Sequence, residues 1–338
     1  MNFPKISIIV PSYNQGRYLD ETLVSIIHQG YPNLELFIVD GGSTDNSVEI
    51  IKKYNDKINW WVSEKDRGQS HAINKGLQKV TGDIFTWINS DDVLMPGSLD
   101  KVAGHFSSFS PDVGVIFGGT ILFKEQKEIQ TSWGYPDPSV ERYLAGMAFS
   151  QPSAFISKKY FDKAGIHVSE RLHYGMDYDV FCRLACICRF VPVKDVLSKY
   201  RLHDASKSVA EEDKFIGDWS LVFVSLCKKL QWNDIVDQMK STNIFDDILS
   251  LEPLSFSFTP DKDIIKSVDK RKLLFYHLCY VLKSLYQSGS RHKARKLLNW
   301  MKKNYSAAWL KKENYIPQII NRLRIPEPVL RLLITLKK

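Results

Sequence analysis

Two hydrophobic periods alternate along the first ninety residues. Ile6-Ser7-Ile8-Ile9-Val10 is a short β-branched run stopped by Pro11, which predicts a buried strand. Leu19, Leu23, Ile26 and Ile27 then recur at helical spacing until Gly30. Leu34 to Asp40 reads as a second strand, closed by Gly41-Gly42. Ser43 or Thr44 is placed to cap a helix whose apolar face is Val48, Ile51 and Tyr54. Asn59 to Ser63 predicts a third strand, Gln69 to Val80 a third helix, and Asp83 to Ile88 a fourth strand.

Strand–helix alternation at this spacing predicts an α/β fold with a doubly wound, mainly parallel sheet. Ligands of such sheets sit beyond the carboxyl ends of the strands. The polar clusters fall there: Ser12 to Asn14, Asp40 to Ser43, Glu64 to Gln69, and Ser90 to Asp92. From 113 to 135 the pattern changes to short strands around Gly118-Gly119, and residues 139–205 add helices and a further strand or two. Beyond 210 the strand signal fades, and helical patterns at 213–230, 271–287 and 291–304 predict an α-helical extension. The expected division is therefore residues 1–209 and residues 210–338.

Composition changes this picture in one respect. The chain of 338 residues carries a net charge of +8, unevenly spread. Residues 1–270 hold 30 Lys+Arg against 36 Asp+Glu, whereas residues 271–338 hold 16 against 2. A basic tail on a mildly acidic body points to an anionic surface as partner. Its apolar groups, Ile319-Ile320 and Val329 to Ile334, suit a membrane surface or packing on the catalytic domain. Nucleic acid is not expected, because aromatics are not interleaved with the basic residues. No run of eighteen apolar residues occurs, and the N-terminus leads directly into a strand without a signal peptide. The odd, scattered set Cys182, Cys186, Cys188, Cys227 and Cys279 fits a reducing compartment. The expected location is cytoplasmic, peripheral on the inner face of the membrane.

Four groups carry candidate chemistry. The adjacent carboxylates Asp91-Asp92 at a strand end suit a hard divalent cation, Mg²⁺ or Mn²⁺, although the pair alone reads more readily as a solvated turn. Asp40 before two glycines can accept bonds from a base or ribose, or can belong to an ordinary strand–turn–helix connection. Glu64 to Gln69 opens a helix whose free N–H groups, with Lys65 or Arg67, suit a diphosphate. Asp177 and Asp179 open another helix, where a carboxylate stays ionised and can take a proton from an attacking hydroxyl.

The order and separation of these groups resemble family 2 glycosyltransferases of the GT-A fold. The resemblance rests on Val10-Pro11-Ser12-Tyr13-Asn14, Val39 to Asp45, and Ser63 to Gly76. It continues through Gly82 to Asp92, Gln151 to Phe155, Asp177-Tyr178-Asp179, and Tyr200-Arg201 with His203 and Ser206. It covers about residues 4–208. It implies a Rossmann-like nucleotide-sugar domain and an inverting enzyme of polysaccharide or lipid-linked oligosaccharide synthesis, using a UDP-sugar and a glycan or lipid-linked acceptor. By the same resemblance Pro11, Tyr13 and Asp40 hold base and ribose, with Asp66 closing the pocket. Gly68, Gln69, Asn74 and Asp91 line the rest of the donor site. Asp92 is the principal metal ligand with His203 beside it, and Asp177 is the general base.

Three positions depart from the family pattern. Asn89 and His71 stand where aspartate is common, and Met176 where glutamate often precedes the base. A GT-A-fold binding protein without catalysis is the alternative, and it predicts loss of Asp92 or Asp177. Both are present.

Overall fold

A computed structural model describes residues 3–134, 138–203 and 212–325. The chain forms two compact units, residues 1–210 with 257–268, and residues 211–256 with 269–338. The stretch 257–268 therefore returns to the first unit instead of continuing the helical region expected from 210 onward. Two features hold it. Asp261 N donates to the Cys186 carbonyl at 2.8 Å, and the Asp261 carboxylate caps helix Lys262–Ser267 by accepting from Asp263 N and Ile264 N.

Among the described residues, nine strands of the first unit form one mixed sheet. They are β1 (Ile6–Ser12), β2 (Leu34–Asp40), β3 (Trp60–Ser63), β4 (Ile84–Trp87) and β5 (Val93–Leu94), followed by β6 (Val113–Lys124), β7 (Lys127–Ser132), β8 (Ala154–Ser157) and β9 (Arg189–Arg201). Their order is β3-β2-β1-β4-β8-β6-β9-β5, with β7 added to β6. Strands β1 to β4 pair in parallel, as do β6 and β9, while β5, β7 and β8 make antiparallel pairs. Half of the pairings are thus antiparallel. The parallel character expected for the whole sheet belongs to its first four strands and the β6–β9 pair.

The helices of this unit include α1 (Gly16–Ile27), α2 (Ser47–Lys53), α3 (Gln69–Leu77), α4 (Ser98–Ser108), α5 (Val140–Ala145), α6 (Lys158–Lys163) and α7 (Met176–Ala185). Strand β1 is buried along its whole length, and alternate side chains go to opposite faces. Ile6, Ile8 and Val10 join Leu19, Leu23 and Ile26 of α1 in one core cluster. Burying each of these side chains contributes roughly 1.5–3 kcal/mol. Neither Ser43 nor Thr44 caps α2, whose first helical residue is Ser47. The Asp45 carboxylate does that work, accepting from Ser47 N and Ser47 Oγ, and from Gly16 N at the start of α1. In-register pairing of Ser12 with Asp40 and of Asp40 with Ser63 brings the ends of β1, β2 and β3 to one edge.

The second unit is helical: α8 (Glu212–Lys229), α9 (Asn233–Ser241), α10 (Asp246–Leu249), then, after α11 (Lys262–Ser267) of the first unit, α12 (Lys270–Gln287), α13 (Arg291–Asn304), α14 (Ala307–Leu310) and α15 (Tyr315–Arg324). Its core includes Phe223, Leu226, Leu274, Phe275, Leu278 and Leu297. Helix α15 buries Ile316, Ile319 and Leu323 against α12 and α13. Arg291 and Arg295 bind the carbonyls of Arg322, Leu323 and Ile325 at its end. The apolar part of the tail up to residue 325 is therefore spent inside this unit. Its second apolar group, Val329 to Ile334, lies outside the described residues. No described helix is long and apolar enough to cross a membrane.

Candidate functional site

The nucleotide side is built from the ends of β1, β2 and β3. Asp40 is fully buried. Its carboxylate accepts from Gly42 N, Ser43 N, Ser43 Oγ and Ser63 Oγ at 2.5–3.2 Å. Expected on base and ribose, Asp40 instead orders the loop that follows it. That loop is tied to the end of β1, since Asn14 N donates to Ser43 Oγ and Thr44 N to Asn14 Oδ1. Pro11 is buried at the end of β1. Tyr13 lies just beyond it and is 60% exposed, an aromatic side chain available to a ligand. Asp66 approaches from the next loop, where its Oδ1 accepts from Gly68 N at 2.8 Å. A side chain at Gly41 would come within 2.8 Å of Asp66 Oδ2, so glycine there lets the two loops meet.

Helix α3 connects this region to the acidic turn. Gln69 Nε2 donates to Asn89 Oδ1 at 2.7 Å. Asn74, expected on the donor, does something else. Its amide bridges both backbone groups of Val168, donating to the carbonyl and accepting from the N–H at 2.8 and 2.9 Å. Arg67 is held by Glu170 at 2.8 and 3.1 Å, so this charge is already compensated. His71, at a departing position, accepts from Arg67 N at 3.3 Å.

The two adjacent aspartates separate sharply. Asp92 is 1% exposed. Its Oδ1 accepts from Arg201 N at 3.1 Å and its Oδ2 from Asn89 Nδ2 at 3.3 Å. Burial pushes the Asp92 carboxyl well above the usual carboxylate range, and the neighbouring Asp91 charge adds to this. Asp91 has the other environment: its Oδ2 lies 2.9 Å from His203 Nε2, with side chains 19% and 13% exposed. The expectation that Asp92 is the principal metal ligand meets a physical obstacle: its Oδ1 ties the turn to β9 through Arg201 N, and its Oδ2 accepts from Asn89 within the turn. Asp91 and His203 are the pair brought together.

Local sequence patterns gave no sign of what supports this turn. Arg201 donates to the Asp91 carbonyl and to Glu21 of α1 at 2.9 and 2.6 Å. Its guanidinium lies 4.7 Å from the Tyr18 ring centre and 4.4 Å from that of Phe123. Tyr18 also faces His203, with ring centres 4.9 Å apart. Thr22 Oγ1 donates to the Asp92 carbonyl at 2.8 Å. The only cue was Tyr200-Arg201 and His203 in the family resemblance; Ser206 of that motif lies outside the described residues.

Helix α7 brings up the last group. Asp179 is buried and paired with Arg183, which makes it structural and removes it as a second candidate base. Asp177 is half-buried at the first turn, where its Oδ1 accepts from Tyr178 N at 2.8 Å. The preceding Met176 sulfur accepts from Ser70 Oγ at 3.0 Å, so the start of α7 adjoins the start of α3. Among the described residues no cluster of three or more acidic, His or Cys side chains is arranged around one point as for a metal.

Residues 7–164 match the family described as Glycosyl transferase family 2. These residues are a family 2 glycosyltransferase domain.

An uncharacterized glycosyltransferase of Rickettsia typhi is 24% identical to the chain over 318 residues, covering 89% of this chain and 97% of that protein. One from Haemophilus influenzae is 41% identical over 104 residues, 30% of this chain and 42% of its own length. Among solved structures, the glycosyltransferase fold is shared with S. aureus TarS 1–349 in complex with UDP. The TM-score is 0.58 at 15% identity, covering 95% of this chain and 87% of that one. The mannosyltransferase PcManGT of Pyrobaculum calidifontis, in complex with GDP-Man and Mn²⁺, gives a TM-score of 0.51 at 18% identity. It covers 94% of this chain and 85% of that one. The glycosyltransferase domain is thus of the GT-A fold, with a helical region after it.

Proposed function

We propose that the protein is an inverting, metal-dependent glycosyltransferase that moves a sugar from a UDP-sugar to an acceptor hydroxyl. Its acceptor is a glycan or lipid-linked oligosaccharide in polysaccharide assembly. One observation carries this reading: the contacts Met176–Ser70, Gln69–Asn89 and Asp91–His203, each involving the candidate residues or their chain neighbours, bring the starts of α7 and α3 and the acidic turn into one region. TarS 1–349 has been solved with UDP and with UDP-GlcNAc, and PcManGT with GDP-Man and Mn²⁺, which supports a nucleotide-sugar donor.

Tyr13 stacks on the base, while Asp66 closes the pocket against the loop that Asp40 orders. Asp91 and His203 fit a divalent cation. Asp91 Oδ2 and His203 Nε2, 2.9 Å apart, would hold the cation together. A carboxylate and an imidazole leave the remaining positions to diphosphate oxygens and water, which is the usual habit of these ions. When bound, the ion supplies positive charge to the departing diphosphate. Asp177 accepts the proton of the acceptor hydroxyl as its oxygen attacks the anomeric carbon from the side opposite the diphosphate. A single displacement inverts that carbon.

We propose that attachment to the inner face of the membrane runs through α13. No Asp or Glu occurs between 270 and 312. Helix α13 buries Ala294, Leu297, Leu298 and Met301; of its exposed lysines, Lys303 lies opposite this stripe, and Lys293 and Lys302 lie on its two flanks. Calorimetry with UDP tests the donor reading: binding should require Mn²⁺ and disappear in EDTA. Equal affinity in the two conditions would contradict metal dependence.

A further inference from the structure

We propose that the exposed face of Trp133 is a platform on which a pyranose ring of the acceptor lies. The proposal rests on the glycosyl-transfer reading and adds a residue that determines acceptor binding. Trp133 directly follows β7, and its side chain is 48% exposed. Its inner face is fixed: a side chain at Gly119 of β6 would come within 2.8 Å of the indole ring, so the ring lies flat on the β6 backbone. An indole held on one face and open on the other loses little freedom when a ligand covers it.

The topology puts this platform beside the reacting groups. Strand β9 takes one edge of β6. The other edge is shared, by β8 at Val115–Phe117 and by β7 at Thr120–Lys124. Trp133 stands at the junction, because Ser132 is the partner of Thr120. Across the junction is the turn Gln151–Ser153. Gln151 Nε2 donates to the Trp87 carbonyl at 2.8 Å, two residues before Asn89 of the acidic turn. Gly134, next to Trp133, lies against the Ala148 carbonyl and Phe149. The Phe149 ring is 4.9 Å from Phe181, one helical turn after Asp177 on α7. The indole therefore borders the region between Asp177 and the Asn89–Asp92 turn, on the side away from Tyr13 and the nucleotide loops. The C–H face of a pyranose is the chemistry that fits an open indole there, while its hydroxyls remain available to Asp177.

Saturation-transfer NMR tests the proposal on the full chain with UDP and Mn²⁺ present. The probes are methyl β-glucopyranoside, methyl β-galactopyranoside and methyl β-N-acetylglucosaminide. At least one should receive saturation, strongest at the C–H protons of one ring face. W133A should weaken that sugar about three- to tenfold, and W133F should keep most of the affinity. UDP affinity should stay at its wild-type value in both variants. Absence of signal from all three sugars while UDP binds, or equal signal in wild type and W133A, would overturn the proposal. Loss of UDP binding in W133A alone would overturn it too, by assigning Trp133 to the donor side. If wild type fails to bind UDP, the donor reading fails instead.

Discussion

Replacing Asp91 and Asp92 separately by alanine should give opposite phenotypes, although the two are adjacent in sequence. Asp92 is buried, and its Oδ1 is the acceptor for the Arg201 N–H. Asp92→Ala leaves that donor without its partner in a buried setting, which costs about 1–3 kcal/mol. For a unit of this size each kcal/mol corresponds to about 2–4 °C in the unfolding midpoint. Relief of repulsion with Asp91 offsets part of this, so a fall of several degrees is expected. The Asp91 carboxylate is paired with His203 and is 19% exposed. Asp91→Ala should change stability by less than about 1 kcal/mol. Its effect falls on the ligand: UDP affinity in Mn²⁺ should drop to the value seen in EDTA. Differential scanning calorimetry and titration calorimetry on both variants separate the outcomes. If Asp92→Ala keeps the wild-type midpoint and abolishes Mn²⁺-dependent binding, while Asp91→Ala binds normally, the assignment is reversed and the reasoning fails.

Asp177→Asn should lower transfer by about 10²–10⁴ while leaving UDP affinity within twofold, because only proton acceptance is removed; activity within tenfold of wild type would exclude Asp177 as base. Changing Lys293, Lys302 and Lys303 together to glutamate should release the protein from anionic vesicles by at least about 100-fold, at about 1 kcal/mol per lysine. Co-sedimentation unchanged by the triple variant, but lost on truncation at residue 325, would return the contact to the tail. Burial alone would raise the Asp45 carboxyl, but hydrogen bonds from Ser47 Oγ, Gly16 N and Ser47 N outweigh it and hold it below the usual range. A depressed carboxyl stabilises the fold fully above its unfolded value of about 3.9 and loses that contribution as pH falls through the folded value. Asp45→Asn should therefore flatten the acid limb of a stability–pH profile below about pH 4, and an unchanged limb would remove Asp45 from the account.

The first four strands and three helices were legible because each carries its own period, and their parallel order follows from alternation. The second half of the sheet was not. Strand β8 pairs with β4 and β6, and β6 pairs in parallel with β9 from 113 to 123, contacts that no local window contains. Helix α11 returned to the first unit through Asp261 and Cys186, seventy-five residues apart, for the same reason. Within the site, motif order identified the loops but not the direction of each side chain. Asp91 and Asp92 differ because Arg201, 109 residues beyond Asp92, claims one of them. Asn74 reads as a polar residue on a helix facing the donor until Val168, 94 residues away, takes both ends of its amide.

The most direct test of the account is turnover of a panel of nucleotide-sugars, UDP-linked and GDP-linked, followed by release of the nucleoside diphosphate. The account predicts that one UDP-sugar is consumed in Mn²⁺ or Mg²⁺, that EDTA stops the reaction, and that Asp177→Asn stops transfer without stopping UDP binding. Tight UDP binding with no diphosphate released from any donor, with or without metal and with glycan acceptors present, would contradict it and leave a GT-A-fold binding protein.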